Sequence, residues 1–460
     1  MDGSNFDLLP PEMKTEVLLK LNLKDLLNFC STSKSAMEYC KNDQFWKAKY
    51  QHDFPNISST GNLTWEKQYK SLHFIPQSPI CAGKNHYAII DDQSMLYTGD
   101  IRGSMCDPIF NGPYDEMAGT YSLKPVHVFG RRDSSAEPVK QKVRSVSCGV
   151  DFIGAVTEEG RVYFWGRRLD GIFTNQEEHD ATHQRSSKIT EPKEFKIPGK
   201  AIKIVCGPKS DEVFLSMFAV ILEDRSVFLR MDYAYYDFES DSASIKIIST
   251  TLNISALDIS VNGSGLAIVS TDGKLYYLGD DMSVYDTKYG YQEEPIGIIY
   301  KDGQMVVNPV HIPLPEKIKQ VSLDYNLVCA LSVNGNVYLW RKYKPYKLSF
   351  HVPLRSNGVL SNSENFEELP ISFITCQNGT TSVIDKNGKL YIWGKDNLRI
   401  SNSKDIIDNP VQIKFELLDE YGTGDVTIPE DRVNYVAVGN AMVIAITADG
   451  WVNIVEPDIS

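Results

Sequence analysis

Two histidines with metal-ligand spacing come nearest to a catalytic motif in this sequence. His179 and His183 form an H-x-x-x-H pattern, which would place two imidazoles on one face of a helix. A zinc protease of this type carries a glutamate as general base beside the first histidine, whereas this sequence has Asp180 there. The stretch is polar and no third ligand is indicated, so we interpret it as a solvated loop.

The other signatures of catalysis are missing from the sequence. It contains no nucleophile elbow, phosphate loop or dinucleotide-binding fingerprint. A glycine-rich stretch, Asn262–Gly265, lies among residues typical of strands and needs no phosphate to explain it. The acidic and aromatic run Asp232–Phe238 could bind a partner, but an exposed strand edge or loop is the simpler interpretation. We therefore expect no catalytic residue, no metal and no cofactor.

Composition excludes several classes of partner. The formal net charge of −13 argues against general binding of nucleic acid, which needs clustered Lys and Arg, although a local basic patch stays open. No apolar run is long enough to span a bilayer, and the acidic start lacks a signal-peptide pattern, so we expect no membrane association. The eight cysteines are scattered without a C-x-x-C pair, which indicates small buried residues rather than disulfides or a zinc site. These features predict an intracellular protein, cytoplasmic, nuclear or both.

One stretch, Ser145 to Gly166, shows how the elements are built. Two short runs, Phe152–Val156 and Val162–Trp165, are rich in β-branched and aromatic residues and flank a Glu159–Gly160 turn. Glycine can adopt the positive φ that a tight hairpin turn requires. The pattern predicts a β-hairpin.

The hairpin pattern occurs seven times along the chain. The seven turn positions are predicted at residues 93, 160, 225, 273, 335, 388 and 450. Copies one and three lack the turn glycine, with Asp92–Gln93 and Asp224–Arg225 in its place. Successive turns are separated by an uneven spacing of about fifty to sixty-five residues, which is typical of propellers and other repeat arrays. A β-sandwich with fortuitous hairpins stays open as the alternative.

The repeat resembles that of the regulator of chromosome condensation, a family of seven-bladed β-propellers. The resemblance is carried by Gly83, Gly149 and Gly439 before the first strand, by the Asp/Asn-Gly turns, and by Trp165–Gly166 and Trp393–Gly394 after the second. The Gly-Gln-Leu-Gly segment usual after Trp-Gly is absent, and the family histidine survives only as His86. The resemblance implies a propeller over residues 79–460.

The N-terminal residues follow a helical pattern instead. Pro11 suits a first helical turn, and Met13, Val17 and Leu21 recur at helical spacing with Leu18 beside them. Leu26 and Leu27 follow in a second short helix. Apolar residues lie on more than one face, so some of them are available to a partner.

This segment resembles an F-box, through the order Leu-Pro-x-Glu, apolar helix, Leu-x-x-Leu-Leu and Phe45–Trp46. The resemblance implies docking onto the Skp-type adaptor of a cullin–RING ubiquitin ligase. The alternative is a helical cap packed on the propeller edge. The residues that the resemblance assigns to adaptor binding are Leu9, Pro10, Met13, Val17, Leu18, Leu21, Leu26 and Leu27.

The fold expected is mainly β: a seven-bladed β-propeller preceded by a small all-α F-box and a connecting helix. We place F-box helices at 1–54, a helical linker at 55–78 with Trp65, Tyr69 and Leu72 on one face, and the propeller at 79–460. We expect the protein to be a non-catalytic substrate-recognition subunit of an SCF-type ubiquitin ligase. Its expected partners are the Skp-type adaptor, a cullin that the adaptor binds in turn, and a protein substrate that the propeller holds. Guanine-nucleotide exchange on a small GTPase is the first alternative, and a chromatin-binding propeller with a basic surface is the second.

Overall fold

A computed structural model shows two compact units, one of residues 1–76 and one of residues 77–460. The structure describes residues 9–21, 23–53, 64–66, 69, 78–100, 111–115, 120–126, 141–167, 169–173, 188–207, 217–237, 242–262, 265–279, 297–301, 304–324, 327–341, 344–348, 351–353, 355–356, 359–360, 366–368, 370–377, 379–395, 406–413, 432–439, 442–448, 450 and 452–455.

The first unit is helical. Four helices lie in its continuously described part: α1 (Pro11–Leu19), α2 (Leu23–Cys30), α3 (Lys34–Cys40) and α4 (Asp43–Asp53). Pro11 occupies the first turn of α1, where a missing N–H costs no hydrogen bond. Ser33 caps α3, because its Oγ accepts the backbone N–H of Ala36 at 3.1 Å.

Aromatic side chains fill the core of the helical unit. Trp46 lies between Phe45 and Tyr69, with ring centroids 5.5 and 5.4 Å away. Trp65 and Tyr69 are helical, as the connecting-helix prediction requires, and Trp65 packs against Tyr50. Leu72, the third residue of that prediction, lies outside the described residues. The segment after α4 therefore completes the hydrophobic core of this unit.

The second unit consists almost entirely of antiparallel strands. Its first three sheets contain β1 (Ile80–Ala82), β2 (His86–Ile90), β3 (Leu96–Asp100), β4 (Asn111–Asp115) and β5 (Thr120–Val126); then β6 (Val143–Cys148), β7 (Phe152–Thr157), β8 (Val162–Arg167) and β9 (Lys188–Phe195); then β10 (Ala201–Cys206), β11 (Met217–Leu222), β12 (Val227–Asp237) and β13 (Ser242–Leu252). A short helix, α5 (Asp170–Phe173), connects β8 to β9.

Four further sheets complete the ring, with three two-stranded ribbons in the connections. The main sheets contain β14 (Ala256–Val261), β15 (Gly265–Ser270), β16 (Leu275–Gly279) and β19 (Val310–Ile312); then β20 (Ile318–Asp324), β21 (Leu327–Ser332), β22 (Val337–Arg341) and β23 (Lys344–Leu348); then β28 (Ile371–Gln377), β29 (Thr380–Asp385), β30 (Leu390–Lys395) and β31 (Ile406–Ile413); then β32 (Val433–Val438), β33 (Val443–Thr447) and β34 (Val452–Val455). The ribbons pair β17 (Ile298–Lys301) with β18 (Gln304–Val307), β24 (His351–Pro353) with β27 (Phe366–Glu368), and β25 (Arg355–Ser356) with β26 (Val359–Leu360).

The sheets form a β-propeller, which confirms the predicted fold class. The first strand of each sheet packs against a neighbouring sheet, and β1 meets β32, which closes the ring. Six blades have four or five strands, but the last sheet has only three in the described part of the chain. The prediction of seven blades is thus corrected to six full blades and a three-stranded sheet in the seventh position. No fourth strand is seen there because none of the described residues pairs with β34 on its outer side.

The hairpin turns connect each blade to the next. The turn residue has a positive φ in all seven sheets, from 65° at Ser94 to 93° at Gly335. Its carbonyl accepts the first N–H of the next blade's inner strand at six junctions, with lengths of 2.7 to 3.0 Å. In the first blade this residue is Ser94, so the predicted turn at Gln93 is wrong by one position. The register of this turn is fixed by the Asp91 side chain, which accepts two backbone N–H groups.

A glycine-to-alanine pair tests the role of these turns in stability. Gly273 (φ 83°) has the Lys317 Cβ 2.7 Å from the position a Cβ would occupy, whereas Gly450 (φ 90°) has open space around it. Backbone strain costs about 1 kcal/mol at either site, and steric overlap adds about 1–3 kcal/mol at Gly273 alone. We expect Gly273→Ala to lower the free energy of unfolding more than Gly450→Ala in urea denaturation. Equal losses would show that the junction between blades tolerates an added methyl group.

A carboxylate beside the fifth blade gives the propeller an acid-sensitive contact. Burial alone would raise the pKa of Glu316, but hydrogen bonds from Tyr338, Ser332, Asn336 and Asn334 outweigh it and lower the pKa to about 2. Tyr338 Oη and Asn336 Nδ2 each donate to Glu316 Oε1 at 2.7 Å.

The lowered pKa predicts a pH dependence of stability. An acid with a depressed folded-state pKa stabilises the fold above its unfolded pKa, near 4.5, and this contribution is lost as pH falls toward 2. Glu316→Gln should therefore reduce the acid-induced loss of unfolding free energy by about 1 kcal/mol, after solvent screening is allowed for. Urea denaturation of both proteins between neutral pH and pH of about 3 measures the difference. Parallel profiles would contradict the assignment.

Two cysteine pairs correct the interpretation of the cysteines. Cys30 and Cys40 form a disulfide between α2 and α3, and Cys81 and Cys148 form one between the first two blades, with Cα–Cα distances of 5.8 and 5.5 Å. Cys206, Cys329 and Cys376 are free and buried, as expected. Pairing requires close Cα atoms, which spacing in sequence does not reveal. The cysteine pattern consequently gives no support to a reducing compartment, and the intracellular location stays a prediction.

Candidate functional site

The helical unit exposes apolar side chains that its own core does not use. Met13 is 51% exposed and Val17 36%, and they lie one turn apart on α1. Leu27 on α2 is 39% exposed and Met37 on α3 is 47% exposed. We call these four residues the exposed apolar set. These side chains are the candidates for contact with a partner on this unit.

The residues predicted for adaptor binding divide into two groups. Pro10, Met13, Val17 and Leu27 are exposed, and Leu9 is half-buried. Leu18 and Leu26 are 1% and 0% exposed inside the aromatic core, and Leu21 packs against that core. We therefore assign Leu18, Leu21 and Leu26 to holding the helices together, and keep the exposed residues as candidate contacts. Helical spacing places residues on faces but does not tell which face the core covers.

Three sets of contacts hold together the helices that carry the exposed apolar set. The disulfide between Cys30 and Cys40 joins the end of α2 to the end of α3. Thr15 Oγ1 forms a short hydrogen bond with Tyr39 Oη, which joins α1 to α3. Lys49 adds a buried anchor, since its Nζ donates to the Leu19 carbonyl at 2.6 Å and pairs with Asp53 at 2.7 Å. Met37 was missed by the sequence analysis, because its segment departs from the family pattern.

The propeller has a narrow central channel with a cavity of about 160 Å³. Inner-strand residues from all seven sheets line it. Asp258 is the main buried charge of its wall: Oδ2 accepts the Val321 N–H at 2.9 Å, and Oδ1 receives Lys203 Nζ in a short ion pair. Ser145, Ser147, Ser260 and Ser322 accept inner-strand N–H groups of the next blade at 2.8–3.2 Å. These polar groups hold neighbouring blades together.

The remaining sequence candidates are placed by the structure only in part. At the ends of the glycine-rich stretch, the Asn262 side chain accepts the Gly265 N–H at 2.6 Å and donates to the Asp324 carbonyl of the next blade at 2.8 Å. Residues 232–237 are not a loop: they extend β12 and pair with β13. His179 and His183 lie outside the described residues. No cluster of three or more metal-binding side chains occurs where the structure is described.

Two exposed lysines on the helical unit are paired with carboxylates. The exposed lysines of its helices include Lys20 and Lys41, which pair with Glu16 and Glu38 at 3.3 and 3.9 Å. Across the described residues, every helix falls short of the length and apolarity that crossing a bilayer requires.

Comparisons with known proteins agree with both units. The family model described as F-box domain matches residues 6–48. A mouse (Mus musculus) protein described as RCC1-like G exchanging factor-like protein is 20% identical over 279 residues, which is 56% of this chain and 54% of that protein. The chain thus matches about half the length of this relative.

Solved structures extend the similarity over most of the chain. The crystal structure of human WBSCR16 aligns with a TM-score of 0.53 at 15% identity, covering 81% of this chain and 87% of that one. Prp20p from Saccharomyces cerevisiae, whose binding to Gsp1p and histones has been studied, aligns with a TM-score of 0.50 at 14% identity, covering 80% and 81%. Identities this low establish the fold alone. Together with the hairpin repeat and the closed ring of sheets, these matches show an F-box domain at the N-terminus followed by an RCC1-like β-propeller.

Proposed function

We propose that this protein is the substrate-recognition subunit of an SCF-type cullin–RING ubiquitin ligase. The F-box, at residues 1–54, binds the Skp-type adaptor and through it a cullin, and a helical linker at 55–78 leads to the propeller at 79–460, which binds the protein to be ubiquitinated. The match of residues 6–48 to the F-box family supports the first part. The observation that carries the proposal is the exposed apolar set, which lies within that match.

The division of the apolar residues is what an adaptor-binding unit requires. Leu18 and Leu26 stabilise the helices in the free protein, while Met13, Val17 and Leu27 remain in water. A stable protein–protein interface buries on the order of 800 Å² of surface on each partner. The four side chains of the exposed apolar set supply part of that area. Pro10 extends this surface at the start of α1.

The role proposed for the chain is positional. A ligase that holds an acceptor lysine near a conjugated ubiquitin converts a bimolecular encounter into an effectively intramolecular step. The chain itself would supply no catalytic side chain. We expect it to work inside the cell, in the cytoplasm, the nucleus or both, where ubiquitin conjugation takes place.

Co-purification tests the proposal. The full-length chain, expressed with a Skp-type adaptor and a cullin, is expected to elute with both in size-exclusion chromatography. Elution of the chain alone, at concentrations of about 10 μM at which a specific interface forms, would overturn the proposal.

Guanine-nucleotide exchange is a second candidate function, favoured by the name of the mouse relative. Fold similarity does not fix activity, and exchange gives no role to the exposed apolar set. A nucleotide-release assay over a panel of small GTPases distinguishes the two. Clear acceleration without adaptor binding would establish exchange in place of the ligase role.

A further inference from the structure

A disulfide lies beside two of the four side chains of the exposed apolar set. Cys30, the last residue of α2, is bonded to Cys40, the last residue of α3, with a Cα–Cα distance of 5.8 Å. Leu27 lies one helical turn before Cys30 on α2, and Met37 lies one turn before Cys40 on α3. Side chains one turn apart on a helix are surface neighbours. The disulfide therefore fixes the position of Leu27 relative to that of Met37.

The helix α3 depends strongly on this disulfide for its position. It has seven residues, and an isolated helix that short is not stable in water. Tyr39 packs against the aromatic core, and the Cys40 carbonyl accepts the indole N–H of Trp46 at 2.6 Å. These contacts hold α3 toward the core, whereas the disulfide fixes its end against the end of α2. Opening the disulfide would therefore let Met37 move relative to Leu27.

The two disulfides that the structure describes differ in exposure. Cys30 is half-buried at the end of its helix, and its partner Cys40 is buried. Cys81 and Cys148 are both buried, and both belong to the hydrophobic core between the first two blades. Thiol–disulfide exchange requires an attacking thiolate to reach one of the two sulfurs, so access limits its rate. A small thiol would thus reach Cys30 before it reaches the propeller disulfide.

We propose that the Cys30–Cys40 disulfide is a redox-sensitive cross-link of the adaptor-binding surface, opened by glutathione and closed by oxidised glutathione. In opening, a glutathione thiolate attacks Cys30 Sγ and forms a mixed disulfide, while Cys40 leaves as a thiolate and takes up a proton. A second glutathione thiolate attacks the glutathione sulfur of the mixed disulfide, and Cys30 leaves and is protonated in turn. The two glutathione molecules are oxidised to one disulfide, and their two electrons reduce the protein bond. Closing is the reverse reaction.

The effect of the cross-link on docking rests on the proposed function, because it acts on the same surface. With the bond closed, Leu27 and Met37 are already fixed relative to each other when the adaptor binds. With the bond open, binding must also order α3, and ordering interface side chains costs affinity. Glutathione keeps thiols reduced in the cytosol and the nucleus. Oxidation there would close the bond and strengthen docking.

Adaptor binding in two glutathione buffers tests the proposal. The full-length chain is equilibrated with oxidised or with reduced glutathione, and its affinity for immobilised Skp-type adaptor is measured by biolayer interferometry. We expect the oxidised chain to bind about five- to tenfold more tightly, the scale set by ordering one or two interface side chains. Cys30→Ser/Cys40→Ser should bind as weakly as the reduced chain in both buffers. This variant also reveals any effect of glutathione on the adaptor itself.

The matched control is Cys81→Ser/Cys148→Ser, which removes the propeller disulfide and should keep the full response to glutathione. Alkylation followed by mass spectrometry should show Cys30 and Cys40 reduced at a lower glutathione concentration than Cys81 and Cys148, and circular dichroism checks the fold of both variants. Equal affinity of the oxidised and reduced chains, a response that survives in Cys30→Ser/Cys40→Ser, or earlier reduction of the propeller disulfide would each overturn the proposal. Equal binding in both buffers leaves the ligase proposal standing, whereas no binding in either buffer overturns both.

Discussion

Replacing Met13 and Leu27 by glutamate is expected to abolish adaptor binding while the helical unit stays folded. Both side chains are exposed in the free protein, Met13 by 51% and Leu27 by 39%, and neither belongs to the aromatic core, so the substitution should leave that core intact. In a complex they would lie in an apolar interface, where an unpaired carboxylate is strongly unfavourable. Central interface residues commonly contribute 2 kcal/mol or more each, so the double variant should lose at least about 100-fold in affinity.

Titration calorimetry with purified Skp-type adaptor measures this loss, and circular dichroism checks the fold. Val333→Glu is the matched control, because Val333 is an exposed valine of the propeller at 54% exposure. It places the same charge on an apolar surface residue outside the F-box and should leave adaptor affinity unchanged. Wild-type affinity in the Met13/Leu27 variant would mean that the exposed apolar set serves another purpose.

A third variant separates binding from folding. Leu26 is fully buried with Trp46 and Tyr69 in the helical core. Leu26→Ala should therefore destabilise the unit by about 2–5 kcal/mol through the lost contacts and the cavity left behind. Any accompanying loss of adaptor binding should follow the fraction unfolded, and lowering the temperature should restore it in part. The double glutamate variant should show no such recovery.

The hairpins were predictable because their information is local. Apolar runs around Gly160, Gly273 and Gly388 specify strand, turn and strand within about a dozen residues, and the structure confirms these turns. Of the two copies without a glycine, the third has its turn residue at Arg225 as predicted, whereas the turn residue of the first is Ser94 rather than Gln93. The side chain of Asp91 organises that turn, a contact that no glycine pattern marks.

What the sequence could not determine depends on contacts between distant residues. Met13, Val17 and Leu18 all fit a helical stripe, yet only Leu18 faces the core, because Trp46 and Tyr69 approach α1 from that side. Cys81 bonds to Cys148 across two blades, 67 residues along the chain. Periodicity describes one element at a time, whereas burial and pairing arise when elements meet.

Replacing Asp258, in the polar wall of the central channel, by alanine is expected to lower the stability of the propeller strongly. Asp258 is 1% exposed and contacts three blades, since it pairs with Lys203, lies on β14 and accepts the Val321 N–H at 2.9 Å. Its removal leaves the largely buried Lys203 ammonium without this carboxylate and the Val321 N–H without its acceptor. Breaking a buried ion pair from one side costs about 3–5 kcal/mol, so we expect a marked shift of the urea midpoint.

A double-mutant cycle shows whether the pair itself accounts for that loss. Lys203→Met removes the ammonium and keeps its apolar stem, and Asp258→Asn keeps an oxygen that can accept the Val321 N–H. Replacing a buried pair by neutral groups of similar volume is often nearly neutral, so Lys203→Met/Asp258→Asn should recover most of the stability that Asp258→Ala loses. Groups that act on each other give a coupling free energy of about 0.5–3 kcal/mol in such a cycle. Strictly additive losses in urea denaturation would mean that Asp258 stabilises the ring through its backbone hydrogen bonds alone.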